Sequence, residues 1–281
     1  MKSIKDLNIL KSAGIKLVGK RTCEVCKSEV PVYERNGEQY SVCLTCDTSN
    51  LAKQQTDGYE PAKRRELANK ARAISYIPDE LQNVTFDDYL PKTKSQNEAL
   101  QIVKGLIQEE HKSVVLQGDP GTGKSHLFRC AKREIEKQKV KWTEKDWRGN
   151  DINYQVNKIV IFAKIPELMK LIQSTYRGRT SLTEDIILDT LNKADVLILD
   201  EIAGERSKSD SNGFETWSGD ILYQILDHRQ GKNNLYNLNY SSAEVKQKYG
   251  ETHGKRILSR MSAGAKILKV DGPDHRMKGL I

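Results

Sequence analysis

Short apolar runs alternate with longer amphipathic segments along the chain after residue 78. The short runs are bounded by polar or turn-forming residues, which is typical of buried strands in a parallel sheet. The longer segments place apolar residues at helical spacing. Strands are predicted at Val114–Gln117, Lys158–Ala163, Val196–Asp200, Leu235–Asn239 and Lys266–Val270, and helices at Asn97–Ile107, Ile165–Tyr176 and Ile221–Leu226. This alternation indicates an α/β domain with a five-stranded parallel sheet.

The first quarter of the chain has a different pattern. Residues 53–77 are polar and charged, which predicts a linker that becomes partly helical after Pro61 and exposes its basic residues, Lys63, Arg64 and Arg65. Residues 1–52 contain four of the five cysteines. We therefore predict a small N-terminal domain at 1–52, a linker at 53–77 and the α/β domain at 78–281, since domains usually contain ~100–200 residues.

Composition limits the class of protein. Of the 281 residues, 37% are hydrophobic and 30% are charged, and no apolar run is long enough to span a bilayer. The N-terminus lacks the apolar core and cleavage site of a signal peptide, so we expect a cytoplasmic protein without membrane contact. The net charge of +8 favours a polyanionic partner. Residues 1–78 hold 14 Lys and Arg against 9 Asp and Glu, so the basic excess is concentrated there.

A polar segment at residues 137–157 interrupts the α/β pattern and contains Trp142, Trp147 and Tyr154. Its centre carries a turn signal around Gly149, so we predict a hairpin insertion. Isolated aromatic residues usually pack locally, which favours a surface elaboration over a contact site.

One loop carries the most specific chemical signal. It follows the strand-like run SVVLQ and consists of Gly118, Asp119, Pro120, Gly121, Thr122, Gly123, Lys124 and Ser125. Its glycines let backbone N–H groups surround phosphate oxygens at the N-terminus of the following helix. Lys124 would then neutralise the β and γ phosphates of ATP, while the Ser125 hydroxyl binds Mg²⁺. A chance match is the alternative, but the order of strand, loop and helix favours nucleotide binding, and we extend the predicted site to His126.

An acidic pair, Asp200 and Glu201, ends the apolar run VLIL. Hydrolysis of ATP needs a bound Mg²⁺ and an oriented water but little covalent help from the protein. We expect Asp200 to hold the metal, directly or through water, and Glu201 to orient and polarise the attacking water. Such a pair is common at strand ends, and its significance here depends on the phosphate-binding loop.

Phosphoryl transfer also needs positive charge on the developing transition state, which P-loop ATPases often receive from an arginine of a neighbouring subunit. Arg256 and Arg260 are the candidates, in the segment GKRILSRMSAGA. Their spacing of four places both on one helix face, so an ordinary solvated basic face is the competing interpretation.

The four N-terminal cysteines form two CxxC pairs that are separated by 16 residues. They are Cys23, Cys26, Cys43 and Cys46. This spacing is typical of a site in which two short loops supply four thiolates to one tetrahedral Zn²⁺. The segment between the pairs predicts a hairpin with an Asn36–Gly37 turn. Disulfides are the alternative, but a reducing compartment favours zinc. The isolated Cys130 is predicted to be a buried core residue.

Residues 76–276 resemble the DnaC/DnaI/IstB group of AAA+ ATPases, and most of all its bacterial and phage replicative helicase loaders. The likeness is carried by TFDDY at 85–89, GDPGTGKSHL at 118–127, KIPELMKLIQSTYR at 164–177, ADVLILDEIAGE at 194–205, ILYQILDHR at 221–229 and RILSRM at 256–261. The chain departs from the group in the length of the 137–157 insertion. It also has Asn237-Leu238-Asn239 in place of the usual threonine-rich approach to the sensor.

The resemblance implies an AAA+ fold, hydrolysis of ATP and self-assembly into an ATP-dependent oligomer. It matches Asn239 to the polar sensor that helps to place the attacking water, Arg260 to the arginine finger and Arg276 to a second sensor at the nucleotide. Residues 164–193 resemble a two-helix insertion that lines a single-stranded DNA path, and they include Tyr176, Arg177 and Arg179. An aromatic ring beside two guanidinium groups can stack on a base and contact phosphates. A helix end with a capping tyrosine is the alternative.

The N-terminal zinc module resembles that of Gram-positive loaders, in which this domain docks on a DnaB-type helicase, whereas the transposition ATPases of the group lack one. The predicted function is therefore ATP-dependent loading of a hexameric DnaB-type replicative helicase onto single-stranded DNA. An IstB-like transposition helper acting on duplex DNA is the closest alternative. A P-loop small-molecule kinase is a further one, although the sequence has no acceptor-site signature.

Overall fold

The computed structural model describes residues 14–47, 61–145, 149–178, 180–205 and 216–275. The chain divides by its contacts into two compact units. The first is Met1–Glu60 with Lys145–Gln155, and the second is Pro61–Glu144 with Val156–Ile281. The boundaries at residues 52 and 77 stay predictions.

The first unit contains a three-stranded antiparallel sheet. Its strands are β1 (Lys16–Thr22), β2 (Glu29–Arg35) and β3 (Glu38–Tyr40). Asn36 and Gly37 join β2 to β3 with φ angles of 53° and 82°, so the predicted turn is confirmed. Among its described residues the buried core is small and consists of Val30, Cys23 and Cys43. So little apolar burial among the described residues favours a cross-link or a bound metal as a further source of stability.

The second unit is built on a five-stranded parallel sheet. Its strands are β4 (Ser113–Gln117), β7 (Val160–Lys164), β8 (Val196–Ile202), β9 (Asn233–Leu238) and β10 (Ala265–Lys269). Their order across the sheet is β10-β4-β9-β8-β7, and every pairing is parallel. The predicted parallel sheet is therefore confirmed. The predicted insertion is also a hairpin, formed by β5 (Lys139–Lys145) and β6 (Asp151–Asn157).

Helices cover both faces of this sheet. They are α1 (Ala62–Ile74), α2 (Lys94–Ile107), α3 (Lys124–Ile135), α4 (Ile165–Thr175), α5 (Glu184–Lys193), α6 (Thr216–His228), α7 (Ser242–Tyr249) and α8 (Glu251–Ser262). One apolar core joins α2 and α3 to one face, and a second joins the other helices to the opposite face. Alternate strand residues serve the two cores, as Val114 and Val115 do, because successive side chains of a strand point to opposite faces. The described helices include none with the length and apolar character that a membrane crossing requires.

Helix α1 lies within the predicted linker, but its apolar face is buried in the core of the second unit. Arg64, predicted to be solvated, is fully buried. Its Nη2 donates to Asp195 Oδ2 and to Asn157 O, the latter at 2.7 Å. Its guanidinium also lies 5.0 Å from the centroid of the Trp142 ring. The prediction for Arg64 is wrong because its partners are distant in sequence, and together they compensate for removing the charge from water.

Candidate functional site

The predicted phosphate-binding loop connects β4 to α3. Lys124 is the first residue of α3 and is buried. Its Nζ donates to Gly118 O at 2.8 Å, to Asp119 O at 2.7 Å and to Thr122 Oγ1 at 3.1 Å. These three acceptors are neutral, so a phosphate anion would be a stronger acceptor than any of them. The loop therefore holds an ammonium group where the motif predicts phosphate binding.

Two glycines of the loop are required by the close approach of the segment that follows β10. Gly118 has a φ of +150°, and a Cβ there would lie 2.0 Å from Val270 O. Gly121 has a φ of +81°, and a Cβ there would lie 1.8 Å from Asp274 Oδ1. The His275 N–H donates to Gly121 O at 3.0 Å. The Val270 backbone thus leaves no room for a side chain at position 118, whereas a Cβ at position 121 would displace the Asp274 side chain and would also have an unfavourable positive φ.

Ser125, Asp200 and Asn237 meet beside the loop. Ser125 Oγ donates to Asp200 Oδ1 at 2.8 Å, and Asn237 Nδ2 donates to Ser125 Oγ at 3.0 Å and to Asp200 Oδ1. Asp200 is only 1% exposed. Burial raises the pKa of its carboxyl group, although the hydrogen bonds from Asn237 and Ser125 act in the opposite direction. A hydroxyl beside a buried carboxylate fits the preference of Mg²⁺ for oxygen ligands.

The D200N variant is expected to be more stable than the parent protein in the absence of nucleotide. The pKa of Asp200 is higher in the folded than in the unfolded protein, because burial favours the protonated carboxyl group. The protonated group therefore stabilises the fold at a pH below the unfolded-state pKa, and this contribution to the free energy of unfolding is lost as the pH rises through the folded-state pKa. The substituted amide keeps the side-chain size, carries no charge, and its Oδ1 can still accept from Ser125 Oγ and Asn237 Nδ2. We expect a melting temperature about 2–4 °C higher at pH 7, or roughly 1 kcal/mol.

Differential scanning calorimetry of both proteins checks this expectation. The difference should shrink as the pH falls toward the ordinary Asp value of about 4, because the parent carboxyl group then takes up a proton. Mg²⁺ with ATP should raise the melting temperature of the parent protein much more than that of D200N. A lower melting temperature for nucleotide-free D200N at pH 7 would contradict the argument.

Glu201 lies in a bulge at the end of β8. Its φ is +54°, that of Ala203 is +67°, and the pairing with β9 shifts between Leu199 and Ile202. A left-handed backbone at a residue other than glycine costs on the order of 1–3 kcal/mol and occurs where function needs a side chain redirected. Here Glu201 lines a cavity beside the phosphate-binding loop, and its Oε1 lies 3.0 Å from Lys164 Nζ. The strained backbone supports a functional role for this carboxylate.

This cavity, which we call the nucleotide cavity because the phosphate-binding loop lines it, has a volume of about 610 Å³ and extends from the loop to residues 78–96. Tyr89 lines it, is 8% exposed and has no partner for its hydroxyl among the described residues. His126 also lines the cavity, and its Nε2 has no partner among the described residues. The Tyr89 and His126 rings meet edge to face with centroids 5.7 Å apart. Asn239 Oδ1 is also a buried atom without a described partner. Buried polar atoms left unpaired around a ligand-sized cavity indicate that a bound ligand completes them.

The four cysteines of the first unit converge. All four sulfur atoms lie within 4.8 Å of one another. Cys23 Sγ is 3.7 Å from Cys46 Sγ, and Cys26 Sγ is 3.4 Å from Cys43 Sγ. Sulfurs around tetrahedral Zn²⁺ are about 3.8 Å apart, given a Zn–S distance of about 2.3 Å. Hydrogen bonds from the side chain and backbone of Ser28 lower the pKa of Cys26 to about 6, whereas the hydrogen bond with Cys26 raises the pKa of Cys46 to about 12. The convergence of the sulfurs, and not their acidity, is thus the evidence for a metal site. The cluster therefore fits a zinc module.

Arg256 and Arg260 lie on α8 and are not among the described residues that line the nucleotide cavity. Both contact α6. Arg260 Nε donates to Asp227 Oδ1 at 2.6 Å, and the Arg256 guanidinium lies 4.1 Å from the centroid of the Tyr223 ring. The two arginines thus share one helix face, as their spacing predicts.

Tyr176 directly follows α4 and is 58% exposed. Its hydroxyl forms hydrogen bonds with Glu184 and with Trp217 Nε1, the latter at 3.3 Å. The Tyr176 and Trp217 rings meet edge to face with centroids 6.3 Å apart. Arg177 is exposed beside them. Two of the predicted site residues, Arg179 and Arg276, lie outside the described residues.

Comparison with known proteins agrees with this architecture. The chain is 26% identical over 215 residues to the replicative helicase loader DnaC of Buchnera aphidicola subsp. Baizongia pistaciae, which covers 73% of this chain and 75% of that protein. It is 26% identical over 188 residues to DnaC of Escherichia coli K12, covering 65% and 64%. The crystal structure of DnaI matches with a TM-score of 0.50 and 18% identity over 70% of this chain and 96% of that one. No protein-family model matches.

The match to DnaI extends over nearly the whole of that structure, so the two share a fold. The chain has the AAA+ fold and resembles replicative helicase loaders.

Three residues of this AAA+ domain were missed in the sequence. Asn237 had a usable signal, because residues 237 and 239 of a strand share a face and Asn239 was already predicted to face the nucleotide. Lys164 had a weaker signal, since it directly follows the predicted strand Lys158–Ala163, and the next predicted strand along the chain ends in the acidic pair. Trp217 had none, because its contact with Tyr176 joins residues 41 positions apart.

Proposed function

We propose that this protein uses ATP hydrolysis to load a hexameric DnaB-type replicative helicase onto single-stranded DNA. The observation that supports it most is the cavity at which Lys124, Asp200 and Glu201 converge, in a chain similar to replicative helicase loaders over 73% of its length. The proposal places the protein in the cytoplasm, where reducing conditions keep cysteines available as zinc ligands.

The residues of the cavity divide the work of hydrolysis. Lys124 binds the β and γ phosphates, Ser125 and Asp200 hold Mg²⁺, and Glu201 polarises the attacking water. Mg²⁺, when bound, neutralises charge that develops on the phosphate oxygens. Asn239 helps to place the water, and its unpaired Oδ1 is available for that contact. Glu201 must leave Lys164 before it can act on water, which favours slow hydrolysis that serves as a release signal.

A second copy completes the site. Arg260 reaches the ATP that a neighbouring copy holds, so ATP joins the two copies and assembly becomes ATP-dependent. Arg276 serves as a second sensor at the phosphates. Its sequence neighbour His275 supports this role, because the His275 N–H bonds to Gly121 O of the loop.

The first unit is the proposed docking site for the helicase. Its cysteines hold Zn²⁺, and exposed apolar side chains stand beside them. Val25 is 82% exposed, Val42 59% and Leu44 64%. Each is next in sequence to a cysteine of the converging cluster, and exposed apolar side chains in one region of a surface are typical of protein contact sites.

A loading assay tests the proposal. The protein, a DnaB-type hexamer and circular single-stranded DNA are mixed with ATP or ADP, and the helicase retained on the DNA is measured after gel filtration. Retention should require this protein and ATP, and it should fail with K124A. Equal retention without the protein, or stronger ATP-dependent binding of the protein to duplex DNA, would contradict the loader and support the transposition alternative.

Single-stranded DNA is expected to bind tightly with ATP and weakly with ADP, because the path that Tyr176, Arg177 and Arg179 line forms only when copies stack. Binding should weaken with salt, since arginine–phosphate contacts release counterions. The Y176A variant should lose about 1–3 kcal/mol of binding free energy, if a base stacks on the ring. Fluorescence anisotropy with a labelled oligonucleotide measures these effects.

Tyr40 provides the matched control, because it is a tyrosine of the first unit that is 50% exposed. Y40A should bind DNA like the parent protein. If Y40A loses affinity and Y176A does not, or if ADP supports binding as well as ATP, the basic N-terminal part carries the DNA site instead.

A further inference from the structure

Helices α6 and α8 meet along a row of three polar pairs. Asp220, Tyr223 and Asp227 lie on one edge of α6, and His253, Arg256 and Arg260 lie on the facing edge of α8 at the same spacing. His253 Nδ1 is 3.3 Å from Asp220 Oδ1, Arg256 lies over Tyr223, and Arg260 bonds to Asp227. The spacing of three and four residues keeps each set on one helix face. The row thus places two acidic groups and one aromatic group of α6 opposite a histidine and two arginines of α8.

Arg260 contacts Asp227 through only one of the nitrogens of its guanidinium group. Nε donates to Asp227 Oδ1 at 2.6 Å. That bond uses Nε and not the edge formed by Nη1 and Nη2, which carries the parallel donors that bind a phosphate in a bidentate manner. The Tyr223 ring also lies 5.8 Å from the guanidinium, and Gln230 Nε2 donates to Arg260 O at 2.8 Å. Side chain and backbone of Arg260 are therefore both held by α6 and the residues just after it.

The exposure of this pair argues against a mainly structural purpose. The Arg260 side chain is 39% exposed and that of Asp227 is 41% exposed, and ion pairs in such surroundings add little to stability. An unrestrained arginine side chain samples many rotamers, which weakens any contact that needs one of them. Fixing Nε removes much of that freedom before a partner arrives. The pair is thus better suited to orienting the guanidinium than to holding the helices together.

We propose that Asp227, assisted by the ring of Tyr223, positions Arg260 so that its Nη1–Nη2 edge meets the γ phosphate of ATP bound to a second copy of this chain. The inference rests on the proposed role of Arg260 as a finger acting between copies. Asp227 and Tyr223 are positioning residues and contact no nucleotide themselves. The α6–α8 edge is then the surface on which the nucleotide cavity of the neighbouring copy docks.

Mixing two variants tests separately whether Arg260 acts on the ATP of a second copy and whether Asp227 positions Arg260. R260A keeps its own nucleotide cavity but lacks the finger, whereas K124A lacks nucleotide binding but keeps the finger. Mixed under conditions where the parent protein assembles, the two should recover ATP hydrolysis, because each supplies what the other lacks. Substitutions are then added to the K124A chain, and the recovered rate is compared with that of the simple mixture.

K124A/D227A is expected to recover about tenfold less activity than K124A, since a misplaced catalytic group costs one to two orders of magnitude in rate. K124A/D227N, which keeps the size and an acceptor oxygen, should fall about threefold. K124A/Y223F keeps the ring beside the guanidinium but removes a hydroxyl that also interacts with Arg260, so its recovered rate should fall less than that of K124A/D227A. The matched control is K124A/D220A, since Asp220 has a similar exposure and faces His253 instead; it should recover as K124A does.

The outcomes are distinguishable. If K124A itself does not rescue R260A, the finger between copies is wrong and the proposed function must be revised. If K124A rescues R260A and both Asp227 variants rescue equally well, the positioning role is wrong while the finger stands. Loss of rescue by D220A as well as D227A would indicate a general disturbance of α6 and overturn the specific role of Asp227. Apparent KM for ATP of the R260A copies should stay unchanged in every mixture that supports the proposal.

Discussion

K124A is expected to lose nucleotide binding, whereas E201Q should keep it and stop hydrolysing. Lys124 places its ammonium group at the centre of the loop with three neutral acceptors, so a bound phosphate replaces weak partners with a strong one. Its removal should weaken ATP binding by about a hundredfold, or roughly 3 kcal/mol. Glu201 lines the cavity from a bulge and touches the reaction only through water, so E201Q should bind ATP within about threefold of the parent protein and hydrolyse it about a hundredfold more slowly.

Titration with a fluorescent ATP analogue and a phosphate-release assay measure the two effects. K170A is the control for charge loss, because Lys170 lies on α4 outside the described lining of the cavity and its side chain is 70% exposed. It should behave like the parent protein in both assays. Equal loss of binding in K124A and E201Q would show that the two residues do not divide binding and chemistry in this way.

One Zn²⁺ per chain is expected in the purified protein, and its removal should unfold the first unit. The described core of that unit is too small to hold it together, and binding of structural zinc contributes about 10–16 kcal/mol to small modules of this kind. C43A should therefore contain less than about one-tenth of the parent zinc and lose the antiparallel sheet. The second unit has its own extensive core, so its thermal transition should stay within about 2 °C.

Cys130 supplies the matched control, because it is equally a buried free cysteine but lies on α3 in the second unit. C130A should bind zinc fully. Elemental analysis measures the zinc content and thiol titration counts the free cysteines. Little zinc together with two disulfides in the parent protein would favour disulfide bonds between the CxxC cysteines over a zinc site.

The sequence predicted the elements and the loop because these depend on local patterns. Strand runs, the glycine spacing and the CxxC pairs are each readable within a short window. The failures involve contacts across the fold. Arg64 pairs with a carboxylate 131 positions away, and Trp217 with a tyrosine 41 positions away. The bulge at Glu201 also depends on how β8 and β9 pair, which no run of residues specifies by itself.

The spacing of Asn237, in β9, and Asn239, directly after it, has an evolutionary consequence. Asn237 is bonded to Ser125 and Asp200, Asn239 lines the cavity, and Leu238 between them is buried in the core on the other face. Inserting or deleting one residue in this strand would exchange the faces, placing a leucine beside the metal ligands and an amide in the core. A change of two residues would keep the faces. Among descendants of this chain, length changes in β9 should therefore be absent or even-numbered, while the hairpin formed by β5 and β6 is free to vary in length.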